Sequence, residues 1–277
     1  MIIKTFEPTS KELQKYIECF YILSNSKDDD KVSYLTFPTL FSVVAAVINA
    51  KNIVTDQKVT IAFSKKDAID TSLVCRFNKP ILVEYEGEIK EICIYFKPLG
   101  LNAFLEKPLE NYSNSFVDEF IPFPDYEKRM QSILKMEDDG DLALNIEQYW
   151  LERLIGFKHP FLHAALDSIH QDPNITTYDL AKGVGVSQKT FIRQFKKHLC
   201  KTPTEFKKIL RFRIAISEKQ KSLEGNRLTE LAYISNFFDQ SHMVASFKSL
   251  AGFAPKSFFQ KLSTSDANNI NWIFTTG

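Results

Sequence analysis

Two periods divide the chain. Up to about residue 110, apolar positions come in short runs rich in β-branched and aromatic residues, at 32–37, 59–63, 72–77, 81–85 and 89–96. Turn formers or charges separate these runs: Asp28-Asp29-Asp30, Asn78-Lys79-Pro80 and Glu86-Gly87-Glu88. Short strands at this spacing predict a small barrel or sandwich. From residue 125 the apolar spacing becomes helical, over 125–136 and 142–157, with Ile146, Tyr149, Trp150, Leu154 and Phe157 on one face. Asp138-Asp139-Gly140-Asp141 interrupts the two helices. They are expected to connect two domains or to form a subunit contact. No Ser/Gly/Pro linker follows, so the joint is expected to be rigid. Residues 160–262 read as helix throughout. The segment 263–277 is polar apart from Ile270, Trp272, Ile273 and Phe274, and reads as a tail that either docks or stays disordered.

The helical part contains itself twice. Leu180-Ala181 is followed by Phe191, Phe195-Lys196, Pro203 and Phe206; Leu231-Ala232 is followed by Met243, Phe247-Lys248, Pro255 and Phe258. The offset is 51 at the first pair and 52 at the others. Two copies of one unit are a stronger signal than either alone. Each copy reads as helix, short turn, helix, the helix-turn-helix signature. Ser187 in the first copy and Asp239 in the second stand where a side-chain oxygen can cap the second helix. Between the copies, Thr202-Pro203-Thr204-Glu205 spells a capping box with proline at the first helical position. A helix over 204–220 would span ~26 Å, enough to set two recognition helices about one DNA turn apart.

The second helix of the first copy has two faces. Phe191, Phe195 and Leu199 recur every four residues, and so do Lys189, Arg193 and Lys197 on the other side. A duplex major groove admits a helix carrying such cations. Charge supports this. The formal net charge is only +1, but residues 160–262 hold 16 Lys and Arg against 8 Asp and Glu, and the remainder holds 19 against 26. A basic helical part joined to an acidic part indicates a polyanion-binding module.

The stretches FIRQFKKHLCKTP (191–203), ILRFRIAI (209–216) and FDQSHMVASFKSLAGFAPKSFF (238–259) resemble the two recognition-helix signatures and the connecting helix of the AraC/XylS-type transcriptional regulators. The resemblance covers about 161–259. It implies a bipartite helix-turn-helix domain that binds double-stranded promoter DNA and contacts RNA polymerase. By motif position, the DNA-facing residues would be Gln188, Lys189, Ile192, Arg193 and Lys197 in the first unit, and Gln240, Ser241, His242, Ala245 and Lys248 in the second. Three positions depart from the family pattern: Met243 stands for Phe, Ala245 for Arg and Cys200 for Gly. The second unit is therefore expected to read sequence weakly, leaving base choice to the first. IYFKPLGLNAFL (94–105) is similar to the end of the sensor half in some members, which are often cupin-like barrels that bind a small effector or dimerise.

Absent chemistry narrows the function. No histidine precedes His159, which removes a metal-binding cupin site and His-based acid–base catalysis from the acidic part. No phosphate-binding glycine loop occurs. Glu84, Glu86 and Glu88 alternate and read as a solvated strand edge. Cys19, Cys75, Cys93 and Cys200 form no CxxC pair and read as reduced thiols, with Cys75 and Cys93 in the core. No run approaches the ~20 apolar residues of a bilayer span, and the N-terminus has no apolar leader, so a cytoplasmic location without membrane contact is expected. The expected protein is α+β: a β-rich, cupin-like sensor or dimerisation domain (1–124), a helical connector (125–159), an all-α double helix-turn-helix domain (160–262) and a tail (263–277). It is expected to be a transcription regulator, not an enzyme, with no cofactor or metal. Its first domain would bind a small effector, with effector-contacting residues unknown, or form a homodimer; the rival reading makes that domain a protein-interaction module without a ligand.

Overall fold

The structure, a computed structural model, describes residues 1–26, 31–221, 227–264 and 271–275. The expected turn at Asp28-Asp29-Asp30 and the tail segment 265–270 lie outside the described residues. In chain order the strands are β1 (Ile2–Phe6), β2 (Ile17–Asn25), β3 (Val32–Thr36), β4 (Ser42–Ile48), β5 (Ala50–Thr55), β6 (Lys58–Phe63), β7 (Ile69–Val74), β8 (Ile81–Glu86), β9 (Ile89–Phe96) and β10 (Val117–Glu119). The helices follow: α1 (Tyr126–Leu134), α2 (Asp139–Leu151), α3 (Leu162–Gln171), α4 (Thr177–Gly183), α5 (Gln188–Leu199), α6 (Pro203–Lys221), α7 (Leu228–Ile234), α8 (Gln240–Ala251) and α9 (Pro255–Lys261). Two strands close the described chain, β11 (Ser263–Thr264) and β12 (Asn271–Thr275).

Two six-stranded sheets face each other, in the orders β1-β2-β9-β4-β7-β10 and β11-β12-β3-β8-β6-β5. Their pairs are antiparallel except β6 with β8. The central strands of the first sheet are buried on both faces. Along β9, Ile92, Ile94 and Phe96 point outward to the helices, while Cys93 and Tyr95 point between the sheets. Phe20 and Ile22 alternate in the same way with Tyr21 and Leu23 on β2, as do Val44 and Ala46 with Val43 and Ala45 on β4. Period-2 side-chain alternation serves two cores at once.

α1 and α2 cover the outer face of that sheet. Tyr126, Met130, Ile133, Leu142, Ile146, Tyr149 and Trp150 are all buried there. Trp150 lies edge-on to Phe96 at 4.9 Å and to Phe104 at 5.2 Å. Burial of each such side chain stabilises by ~1.5–3 kcal/mol. The apolar faces read as a connector or subunit contact are therefore covered by the chain's own barrel. Glu147, also buried, accepts the backbone N–H groups of Thr9 and Ser10, both at 2.9 Å, and ties the N-terminal segment to α2. The break between the two helices falls at 135–138, and Asp138 caps α2 by accepting the N–H of Asp141 at 2.9 Å, so Asp139, Gly140 and Asp141 form the first turn of α2. α2 stops at Leu151, short of the expected 157. The Ile155 and Gly156 N–H groups turn instead to the Ala103 carbonyl, at 3.0 and 2.9 Å, and Gly156 takes φ +80°.

β12 adds to the edge of the second sheet by pairing with β3, Trp272 opposite Thr36 and Ile273 opposite Leu35. The C-terminal segment thus docks on the barrel. Glu84 differs from the expected solvated edge: it is buried and bridges Lys31 at 2.7 Å and Lys58 at 2.8 Å, while Glu86 meets Lys31 at 2.8 Å.

Candidate nucleic-acid interface and barrel cavity

Each helix-turn-helix unit is built on its own core. In the first, Phe191, Phe195 and Leu199 of α5 are buried with Leu180 and Ala181 of α4 and with Phe206 of α6. In the second, Met243, Phe247 and Leu250 of α8 are buried with Leu231, Ala232, Phe212 and Phe258. Both caps form as the spacing predicts. Ser187 Oγ accepts the Thr190 N–H at 3.2 Å, and Asp239 Oδ1 accepts the His242 N–H at 2.7 Å. The capping box forms too, with the Thr202 N–H donating to Glu205 at 2.7 Å and the Glu205 N–H to Thr202 at 3.2 Å. α6 runs 19 residues, ~28 Å, between the units.

Burial of these faces leaves the opposite ones in solvent. On α5, Gln188, Lys189 and Arg193 are exposed, and Ile192 and Lys197 are half-buried. On α8, Gln240, Ser241, His242, Ala245 and Lys248 are all exposed. His242 also has a local role, its Nδ1 accepting the Phe238 N–H at 3.4 Å. Motif position alone misses two rings beside the second unit: Tyr233 is 86 % exposed and Phe238 is 92 % exposed. The alignment of the two repeats is enough to find Phe238, since it immediately precedes the Asp239 cap where the first copy has Val186 before Ser187.

α5 and α8 end differently. Both terminate in a left-handed residue, Gly252 at φ +77° and Cys200 at φ +54°. Glycine adopts this conformation without the steric cost that a Cβ brings. The first unit bears that cost because the Cys200 side chain is used at the junction with the barrel. There the thiol of Cys75 donates to Ser113 Oγ at 3.1 Å and meets Cys200. Their mutual hydrogen bond holds Cys75 below the ordinary thiol range, with the charges of Lys201 and Arg76 adding to it, and pushes Cys200 up. Lys201, buried, donates to the Cys75 carbonyl. Asn102 Nδ2 donates to the His198 carbonyl at 2.9 Å. The C-terminal end of α5 is thereby fastened to the barrel while its N-terminal half is presented outward.

The second unit is fastened through α6 and α9. Arg213 of α6 donates Nε–H to the Pro38 carbonyl at 2.8 Å and Nη2–H to the Phe37 carbonyl at 2.5 Å. Burial pushes its guanidinium down to about 10. The Phe37 ring meets Phe258 of α9 at 5.0 Å, and Phe258 meets Phe247 of α8 at 5.4 Å.

Phe37 and Arg213 also line a cavity of about 80 Å³ inside the barrel. Its walls include Tyr21, Tyr34, Tyr85, Tyr95, Glu91 and Trp272. Trp272 stands 4.9 Å from Tyr34 and 5.4 Å from Tyr21. The Tyr34 and Tyr85 hydroxyls lie 3.3 Å apart, and Tyr85 donates to Glu91. Burial pushes the Glu91 carboxyl up to about 7, against the lowering effect of the Tyr85 and Cys93 hydrogen bonds. No local signal in the chain marks this site, because its members come from β2, β3, β8, β9, α6 and β12, which meet only in the fold.

Among the described residues no group of three His, Cys, Asp or Glu is placed to hold a metal ion, and no helix is long and apolar enough to cross a membrane.

Residues 180–261 match a helix-turn-helix domain family, and residues 4–118 match a domain of unknown function, DUF6597. No curated protein matches the chain. Among solved structures, an apo ToxT variant from Vibrio cholerae is similar at 12 % identity and TM-score 0.46, over 87 % of this chain and 97 % of that one. Wild-type ToxT from the same organism with unsaturated fatty acid bound is similar at 14 % identity and TM-score 0.42, over 86 % and 94 %. ToxT bound to (E)-4-(8-methylnaphthalen-1-yl)but-3-enoic acid is similar at 12 % identity and TM-score 0.44, over 94 % and 99 %. The duplicated unit, its two caps and its two solvent-facing second helices coincide with the helix-turn-helix family match, and residues 180–261 are accordingly a helix-turn-helix domain, the part through which the chain acts as a DNA-binding regulator.

Proposed function

We propose that the barrel cavity holds a small effector whose presence alters how the two helix-turn-helix units meet promoter DNA. One observation carries this reading: Phe37 lines the cavity and touches Phe258, beneath the second recognition helix. A ligand in the cavity would press on a ring of that unit's core and on Arg213 of the helix joining the units. A ligand biases an equilibrium only by contacting its two states differently, and these shared walls allow that.

In this reading the chain divides at 1–124, 125–159, 160–262 and 263–277, with α1 and α2 bracing the barrel and β12 closing its edge. The DNA contacts are Gln188, Lys189, Ile192, Arg193 and Lys197 in the first unit and Gln240, Ser241, His242, Ala245 and Lys248 in the second. Four cations on α5, Lys189, Arg193, Lys196 and Lys197, against Lys248 alone on α8, support giving base choice to the first unit. Contact with RNA polymerase and a cytoplasmic location follow from the same role. A homodimer would use apolar residues left outside by the helices, Leu144, Leu151 and Ile155, which are 58, 38 and 63 % exposed.

The test is Phe37→Ala in the full chain, which touches no proposed DNA contact. Operator affinity, measured on a site found by genome-wide mapping of bound DNA, is expected to change several-fold with the protein still folded. An unchanged affinity overturns the coupling and favours a barrel that serves as a protein-interaction module.

A further inference from the structure

We infer that the barrel cavity selects a small organic cation, an ammonium on a compact apolar body, with Glu91 as its counter-charge. This rests on the effector reading above and names the chemistry of the site.

The walls specify both parts of such a ligand. Tyr21, Tyr34, Tyr85, Tyr95 and Trp272 line the space with aromatic rings, and Val59, Ile61 and Val83 add apolar wall beside them. Aromatic faces attract cations through their quadrupole, most strongly where water is excluded. Glu91 is 4 % exposed and lines the same space. Among the described residues it forms no ion pair, and its hydrogen bonds come from two uncharged groups, the Tyr85 hydroxyl and the Cys93 thiol. A buried carboxylate without a cation is costly, which is why burial raises the Glu91 carboxyl to about 7; its ionised form has no opposite charge beside it. An ammonium would remove that cost by pairing with it. A neutral ligand would leave it in place, and an anion would add repulsion. Arg213 reaches the wall as well, but its Nε–H and Nη2–H are directed at the Pro38 and Phe37 carbonyls.

Size narrows the ligand further. At about 80 Å³ the cavity is roughly half the ~150 Å³ engineered cavity that accepts benzene. A branched alkylamine of four carbons suits it better than a fused ring system.

Three compounds of nearly equal shape test the assignment on the full-length protein by calorimetry: isobutylamine, isobutanol and isobutyrate. The ammonium is expected to bind at least tenfold more tightly than the alcohol, and isobutyrate more weakly still. Glu91→Gln, nearly the same in shape, is expected to abolish the preference for the amine while leaving alcohol binding unchanged. Should Glu91→Gln fail to fold, Val59→Phe, which fills the cavity, must remove amine binding in its place. Equal or tighter binding of isobutanol or isobutyrate by the wild type overturns the cation assignment and leaves the effector cavity standing. So does an amine preference that survives Glu91→Gln. Amine binding that survives Val59→Phe places the amine outside the cavity and overturns the assignment. If none of the three binds, the cation assignment and the effector cavity fall together.

Discussion

Arg213, in the middle of the helix that joins the two DNA-binding units, donates its Nε–H to the carbonyl of Pro38 in the barrel at 2.8 Å. A second donation, Nη2–H to the Phe37 carbonyl at 2.5 Å, makes the guanidinium a two-pronged link between the halves. Hydrogen bonds from charged donors contribute more than neutral ones, and the carbonyls left behind would be buried without these donors. Arg213→Met should cost about 2–4 kcal/mol and split urea unfolding into two transitions, a helical one and a barrel one. Circular dichroism at helical wavelengths and tryptophan fluorescence, which reports Trp150 and Trp272, would resolve them. Arg213→Lys should recover little of the loss, because an ammonium lacks the planar fork that reaches both carbonyls. A single, unshifted transition in the methionine variant would show that this link does not couple the halves.

Trp272 is the ring that the C-terminal strand adds to the cavity wall. It is 2 % exposed and packs on Tyr21 and Tyr34. Trp272→Ala should destabilise the chain by about 3–5 kcal/mol and expose more of the apolar cavity wall to solvent. Thermal unfolding measures the first effect. A dye that fluoresces on apolar surfaces measures the second, and its failure to bind the folded variant would count against Trp272 covering Tyr21 and Tyr34.

The helical half is largely legible in the sequence because its signals are local. Ser187, Asp239 and the Thr202–Glu205 box announce helix starts three residues away, and each forms as spaced. The barrel is legible only in part. β9 stands out over its full length although it too serves two cores, but a strand such as Ser42–Ile48, buried at every position, carries no alternation to read. β12 is ambiguous for another reason: a short strand added to an existing edge is defined by its partner β3, far away in sequence. The cavity is the least visible part. Nothing near Glu91 in the sequence says that Trp272 and Arg213 will face the same space.

Glu91 should leave a signature in the pH dependence of stability. Its carboxyl titrates at about 7 in the folded chain, with burial the main cause, the Tyr85 and Cys93 hydrogen bonds opposing it and the charge of Asp70 adding to it. An ordinary carboxyl titrates near about 4.3. The folded state therefore holds this proton more tightly than the unfolded state. The resulting stabilisation is fully present below about pH 4 and is lost as pH rises through 7. The loss amounts to roughly 4 kcal/mol. Urea midpoints of wild type and Glu91→Gln should converge at low pH and diverge by pH 8, with the variant then the more stable. Parallel curves across that range would place the titration elsewhere.

Division of labour between the two recognition helices is open to a comparison of two side chains. Arg193 is exposed on α5, and its guanidinium can pair bidentately with a guanine edge; Ala245, at the matching place on α8, offers no side-chain hydrogen bond. Arg193→Ala should therefore cost about 1–3 kcal/mol on the preferred site and relax base choice at one position. Lys248, exposed four positions before the Gly252 cap, suits a phosphate. Lys248→Ala should weaken all sequences evenly and flatten the salt dependence by about one unit of slope, because one fewer counterion is released. Salt separates the two effects: removing a base-edge hydrogen bond from α5 changes the ratio of specific to random DNA at every ionic strength, while removing a phosphate-binding cation does not. Site selection from a random pool with each variant, at two salt concentrations, measures both. If Arg193→Ala keeps the wild-type preference and Lys248→Ala alters it, sequence is read by the second unit, and the missing side-chain donor at Ala245 is compensated by its exposed neighbours Gln240, Ser241 and His242.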